Sequence, residues 1–272
     1  MGYWQGKAAI VTGGSSGLGR EIAAALADAG AHVAIAARGA EALEAAADEL
    51  RRAGRQVLAV PTDVTRQDDV EGLVARALDQ FGRLDLLVNN AGRSMRRAVL
   101  ETTADDFREL MELNLLGLVR TTRAAAPHLT ANRGHLVNIG SLAGKSATRF
   151  MGAYPATKFA VSAYTQQLRL ELGPQGLHVL LVCPGPIARD LPRSESQRAA
   201  RGDDLTGLPP SAELPGAGVR TRAIRPETLA AAILRACERR RTELIFPRSA
   251  RLLFALQQLW PTLGDWIVRR TT

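Results

Sequence analysis

Residues 7–30, KAAIVTGGSSGLGREIAAALADAG, fix the class of this chain. An apolar run of strand length passes through a glycine-rich turn, Thr12-Gly13-Gly14-Ser15-Ser16-Gly17-Leu18-Gly19, into an alanine-rich segment of helical period. Glycines there allow a tight turn and close approach of backbone N–H groups to a phosphate, while the helix N-terminus favours the anion. The spacing is GxxxGxG, a departure from GxGxxG, so the strand-turn-helix context carries the assignment. Gly13, Ser15, Ser16, Gly17, Leu18 and Gly19 are the first candidate cofactor contacts.

Outward from this unit the alternation repeats. AHVAIAAR precedes EALEAAADELRRAG, QVLAVPTDV precedes DDVEGLVARALDQFG, and LDLLVNNAG precedes a long helix over about Ala104 to Leu129. GHLVNIGS, a helix from about Tyr154 to Leu172, and LHVLLVCPG follow. Strands apolar on both faces predict a parallel sheet covered on each side by helices, the α/β doubly wound (Rossmann) architecture. Residues 190–222 are rich in Pro, Gly, Ser and Arg without a sustained period, and leave the carboxyl end of a strand, where such sheets bind ligands. They are expected to form a substrate lid. PETLAAAILRACERR and TELIFP predict one more helix and strand, and residues 249–272 an amphipathic tail. The expectation is one nucleotide-binding domain over residues 1–272.

Composition narrows the function classes. Hydrophobic residues make up 46% and charged residues 23% of 272, as in an ordinary globular protein. The net charge of +8 is scattered Arg rather than one basic block, which argues against nucleic acid as a partner. Cys183 and Cys237 form neither a CxxC pair nor a disulfide framework, and fit a reducing cytosol. His32, His128, His135 and His178 lie far apart in sequence, so no metal is expected. The start MGYWQGKAAIVTGG lacks the pattern of an export signal, and no apolar run is long enough to span a bilayer. A cytoplasmic protein is expected.

The second strand ends at Ala37 and Arg38, where a carboxylate would bind the ribose 2′-hydroxyl of NAD. Arg suits a 2′-phosphate, which favours NADP(H) over NAD(H). Asp63-Val64 and Asn90-Ala91-Gly92 follow the third and fourth strands, at the ends that would meet the adenine and the middle of the cofactor. In a chain with only three Tyr and three Lys, a chance Tyr154-x-x-x-Lys158 pair is improbable. Residues i and i+4 share a helix face, so both side chains can meet one ligand. A phenol is a poor acid-base group at neutral pH, and a neighbouring cation favours its ionised form. Tyr154 is then the proton carrier to a carbonyl oxygen, which Ser141 can hold, and Asn114 can join a water chain behind Lys158. The intervening LAGKSATRFMGA is expected to form the wall that selects the substrate.

Together TGGSSGLG, NNAG at Asn89 to Gly92, Asn114, Ser141, Tyr154-x-x-x-Lys158 and Pro184-Gly185 closely resemble the classical short-chain dehydrogenase/reductases over roughly residues 5–245. The resemblance implies seven strands, NAD(P), frequent homodimers or homotetramers, and a catalytic tetrad of Asn114, Ser141, Tyr154 and Lys158. It adds Tyr154, Lys158, Pro184, Gly185 and Ile187 to the cofactor contacts. Arg189 stands where the family often has a Thr, which leaves the contact on that side open between diphosphate, nicotinamide amide and solvent. The implied activity is hydride transfer between nicotinamide and a ketone or secondary alcohol. Alternatives are a 3-oxoacyl-[acyl-carrier-protein] reductase, its basic surface suiting an acidic carrier, and a non-catalytic NADP-binding sensor or scaffold. In the tail, Leu252, Leu256, Leu259, Leu263 and Trp266 fall near one helical stripe, with Trp260 adjoining and Arg248, Arg251, Arg269 and Arg270 at the ends. That stripe resembles an interfacial segment and the ends of 3-ketosphinganine reductases, which implies a lipid-like substrate and peripheral membrane contact. Because Pro261 and Gly264 interrupt the helix, packing on its own domain or a partner subunit is favoured slightly over a membrane.

Overall fold

The computed structural model describes residues 2–188, 198, 202–214, 216–217 and 223–271. Its seven strands are β1 (Ala8–Thr12), β2 (His32–Ala37), β3 (Val57–Pro61), β4 (Leu86–Asn89), β5 (His135–Ile139), β6 (His178–Pro184) and β7 (Glu243–Phe246). They form one sheet in the order β3-β2-β1-β4-β5-β6-β7, and every adjacent pair is parallel. Helices α1 (Gly17–Asp28), α2 (Ala40–Arg52) and α7 (Pro226–Glu238) pack on one face. On the other lie α3 (Gln67–Phe81), α5 (Gly117–Ala131) and α6 (Tyr154–Leu172). Residues such as Ile10, Ile35, Leu87 and Leu180 are wholly buried because strands covered on both sides have no solvent face. The expected doubly wound architecture is present.

The strand order reverses between β1 and β4, which opens a crevice at their carboxyl ends. Buried Thr12 fixes that crevice: its Oγ1 accepts the amides of Asn90 (3.0 Å) and Ala91 (3.1 Å) and donates to the carbonyl of Val88 (3.3 Å). A buried ladder stiffens the next strands, with Thr121 Oγ1 donating to Asn89, Asn89 to Asn138 and Asn138 to Thr165.

The long helix predicted over about Ala104 to Leu129 is broken in its hydrogen bonding. α4 (Ala104–Met111), started by a capping box between Thr103 and Asp106, runs into a π-helical turn, Glu112–Leu116, before α5 continues. Such a turn holds one extra residue and commonly marks a functional position. Here it contains Asn114.

Two regions depart from the sequence expectations. His135, His178 and Cys237, far apart in the chain, converge at the amino end of the sheet. The two imidazoles share a hydrogen bond between their Nδ1 atoms (2.8 Å), with Tyr3 Oη on His135 Nε2 (2.7 Å) and the carbonyl of Arg241 accepting from His178 Nε2 (2.8 Å). Burial, reinforced by the neighbouring His178, pushes His135 down to about 3, so it ties β5 to β6 as a neutral ring.

The tail is the second. Its expected single stripe is divided between α8 (Ala250–Leu259) and α9 (Pro261–Thr271), which fold into a hairpin. Proline disfavours helical backbone in the residue before it, and Trp260 leaves the helix at φ −137° and ψ 82°. Gly264, rather than interrupting a helix, lets the two pack closely: a Cβ there would stand 2.6 Å from Gln257 Cγ.

Candidate active site

A cavity of about 1260 Å³ opens at the carboxyl ends of the strands and collects most of the expected site residues. Gly13, Ser15, Ser16 and Gly17 line one end, followed by Asn90, Ala91 and Gly92. Ser141, Tyr154 and Lys158 line the middle, with Pro184, Gly185 and Ile187 beyond. Ile187 is held by a bridge to Ile224, just before α7. Leu142, Ala143, Ser146, Thr148 and Met151 supply one wall, as expected of LAGKSATRFMGA. Arg198, Asp203, Leu205, Glu213 and Leu214, described parts of the expected lid, supply another. Residues 189–197, 199–201, 215 and 218–222, Arg189 among them, lie outside the described residues.

Leu18, Gly19, Arg38, Asp63, Val64 and Asn114 are not in the cavity walls. Leu18 is buried in the core and Val64 packs on Gly117, where an added Cβ would come within 2.8 Å of Val64 Cγ2. Asp63 organises its own turn by accepting from the amide (3.0 Å) and hydroxyl (2.8 Å) of Thr65. Arg38 is exposed at the end of β2. Gly19 acts by its lack of a side chain: a Cβ would sit 2.1 Å from the carbonyl oxygen of Gly13. Gly19→Ala is therefore expected to force the turn open, costing about 1–3 kcal/mol of stability and abolishing dinucleotide binding. Thermal melts and fluorescence titration with NADPH check both.

The centre is built on α6. Lys158 is 6% exposed, and its Nζ donates to the carbonyl of Ile139 at 2.8 Å. It stands 5.8 Å from the centroid of the Tyr154 ring. An ammonium has three donors, so two remain for a ligand. Burial pulls its pKa from 10.5 to about 8. Cys183 nearby stays a neutral thiol, its pKa pushed up to about 12 by burial, and so gives the lysine no anionic partner at neutral pH. Gly144 lets the turn after β5 press against α6, since a Cβ there would lie 2.5 Å from the carbonyl oxygen of Lys158.

Ser141 caps a short 3₁₀ turn, Leu142–Gly144, by accepting from the amide of Ala143 (3.1 Å), which leaves its hydroxyl proton to donate into the cavity. Behind them Asn114, 1% exposed, accepts from the amide of Arg93 (2.9 Å) and donates to that residue's carbonyl (3.0 Å) and to Thr157 Oγ1 (3.0 Å). It thus braces the β4–α4 segment against α6. Gly92 admits it, since a Cβ there would meet Asn114 Oδ1 at 2.8 Å. Sequence reasoning missed Thr157, Gly144 and the π-helical turn. A glycine three residues after Ser141 was the one available signal.

Residues 7–200 match the family described as short chain dehydrogenase. The chain belongs to that family. A stretch of 191 residues, 70% of the chain, is 41% identical to the glycine betaine reductase ATRR of Emericella nidulans, of which it spans only 15%. It is 33% identical over 270 residues to 11-beta-hydroxysteroid dehydrogenase A of Sesamum indicum, covering 97% of this chain and 75% of that one. A short chain dehydrogenase/reductase from Burkholderia phymatum, solved in complex with NAD, superposes with a TM-score of 0.82 at 27% identity over 97% of this chain and 96% of its own. The protein is thus an oxidoreductase of CH–OH groups with a nicotinamide cofactor. The residues present fit that cofactor. Ser16 begins α1 without a side-chain cap, leaving the first-turn amides to an anion, and nothing lies within 4 Å of where a Gly17 Cβ would project.

Proposed function

We propose that the protein is an NADPH-dependent ketone reductase with an apolar, lipid-like substrate, working as one domain and as a homodimer or homotetramer. The observation that carries the chemistry is the buried Lys158 ammonium with Tyr154 and Ser141 on one cavity wall. When bound, the nicotinamide supplies or accepts the hydride. Ser141 donates a hydrogen bond to the carbonyl oxygen, and Tyr154 delivers the proton as charge develops there. Lys158 holds the nicotinamide ribose and favours the ionised phenol once the proton has left. Asn114 fixes the backbone on which these groups stand and supports the relay that returns the proton.

Preference for NADPH rests on Arg38, exposed at the strand end where the 2′-substituent belongs, with no carboxylate in the Ala36-Ala37-Arg38 run. Charge-assisted hydrogen bonds of about 1.5–3 kcal/mol make Arg38→Asp expected to lower kcat/KM with NADPH by about tenfold to a hundredfold, with NADH retained or improved. Steady-state kinetics with both cofactors measure this.

The apolar substrate rests on the cavity walls from the tail, Leu252, Leu253, Phe254, Leu256, Ile267 and Val268, and on the hydroxysteroid dehydrogenase relative. A panel of ketones from short polar compounds to long-chain 3-keto lipids and acyl-carrier-bound 3-oxoacyl chains tests it, read by NADPH oxidation. Saturation by the long apolar members is expected. Saturation only by short polar ketones would overturn the substrate class, and NADPH binding with no turnover on any carbonyl would make the protein a sensor.

A further inference from the structure

The two helices of the tail hairpin divide by face. Leu253, Leu256, Ile267 and Val268 line the cavity. Leu259, Trp260, Leu263 and Trp266 do not, and are 70%, 59%, 43% and 51% exposed. Four large apolar side chains gathered around one turn, rimmed by charge, form the kind of patch that marks an interaction surface. Arg248 and Arg251 lie at the start of α8 and Arg269 and Arg270 at the end of α9, so folding back at Trp260 collects all four arginines at the base. The apolar turn stands about 12 Å beyond Arg251 at 1.5 Å per residue. Between Arg248 and the last residue there is one acid, Asp265. Arg270 stacks over the Trp266 ring at 4.3 Å, a pairing suited to a phosphate-rich boundary.

We propose that this hairpin docks the enzyme on an anionic lipid surface, its apolar turn entering the acyl boundary and its arginines meeting the phosphates. The charge arrangement selects this occupant over a second copy. With four arginines and one acid the rim is net positive, which anionic headgroups complement and a second copy of the same rim does not. Because the inner face of the hairpin is a wall of the cavity, a lipid-like ketone can pass from the surface into the site without crossing water. This last step rests on the substrate class proposed above, whereas the docking does not.

Sedimentation of the full chain with phosphatidylcholine vesicles, with and without phosphatidylserine, tests the docking. Binding is expected to the mixed vesicles, to weaken with added salt as exposed charges are screened, and to shift tryptophan emission to the blue. That shift reports Trp260 and Trp266, since Trp4 is 2% exposed. The double variant Leu259→Glu/Leu263→Glu is expected to lower binding at least about tenfold, with turnover of a water-soluble ketone unchanged as proof of fold. Wild-type protein that stays in solution with both vesicles, or a double variant that sediments as well as wild type, overturns docking. So does a larger assembly in solution that the double variant loses without any vesicle binding, which assigns the patch to a second copy. Vesicle binding without turnover of a vesicle-borne keto lipid overturns the substrate route and leaves docking intact.

Discussion

Tyr154→Phe is expected to lower kcat for ketone reduction by about 10²–10⁴, the range for a positioned general acid, while the dissociation constant for NADPH stays within about twofold. The substitution removes one oxygen and leaves a ring that packs in the same place, against Met95, Leu110 and Ala153 on one side and Met151 on the other. Phenylalanine keeps that apolar packing, so the fold and the cavity are expected to persist. What is lost is the proton source beside the reacting oxygen. Ser141 would still polarise the carbonyl, and Lys158 would still hold its place through Ile139. The residual rate should therefore lie above that of free NADPH with the same ketone. Stopped-flow single turnovers separate this from slow product release. Full turnover by Tyr154→Phe would remove the tyrosine from the mechanism and with it the proposed chemistry.

Why the tyrosine could be found without a structure, and Thr157 could not, is a matter of which contacts are local. The glycine turn, the apolar strands and the Tyr154–Lys158 spacing each follow from interactions within a few residues, where helix and strand periods dictate which side chains share a face. Taken alone Asn114 is only a polar residue within a helix, and it is the family resemblance, not a local period, that singles it out. Its function comes from a π-helical turn and from partners 21 and 43 residues away, Arg93 and Thr157, that no local period encodes. The convergence of His135, His178 and Cys237 was equally hidden, because it depends on sheet order rather than spacing. The tail shows the opposite case: its apolar residues and the break at Pro261 are legible locally, but the fold of one helix back on the other is not. Pro261 does interrupt the first helix, and at the first position of the next it also starts one. The hairpin follows from that residue and from Gly264 together.

Lys158→Met is expected to reduce kcat/KM by about 10²-fold or more and yet to leave the cofactor-free protein no less stable at pH 7 than wild type. The two effects share one cause. A group whose pKa is 10.5 when solvated and about 8 in the fold is held charged at neutral pH against the preference of its surroundings. That difference costs the folded state about 3 kcal/mol below pH 8. Methionine fills nearly the same space without charge, and its gain is partly offset by leaving the Ile139 carbonyl unpaired, at about 1–3 kcal/mol. The sign of the pH dependence distinguishes this from ordinary repacking. Between pH 8 and 10.5 the unfolded lysine keeps its proton while the folded one has released it, so the unfolded state binds more protons and wild-type stability rises with pH. Lys158→Met lacks the titrating group and should lack that rise. The stability of wild type relative to the variant should therefore climb by about 3 kcal/mol across the window, measured by urea denaturation of both proteins at each pH. Activity is expected to run the other way, since the ammonium proposed to bind ribose and favour the phenolate disappears over the same range. Opposite pH profiles would mark a lysine that weakens the fold where it is charged and serves the proposed chemistry only there, a residue kept for function rather than stability. Parallel pH profiles for the two proteins would show instead that the buried cation is compensated by a partner, and would take away its role as the free charge of the site.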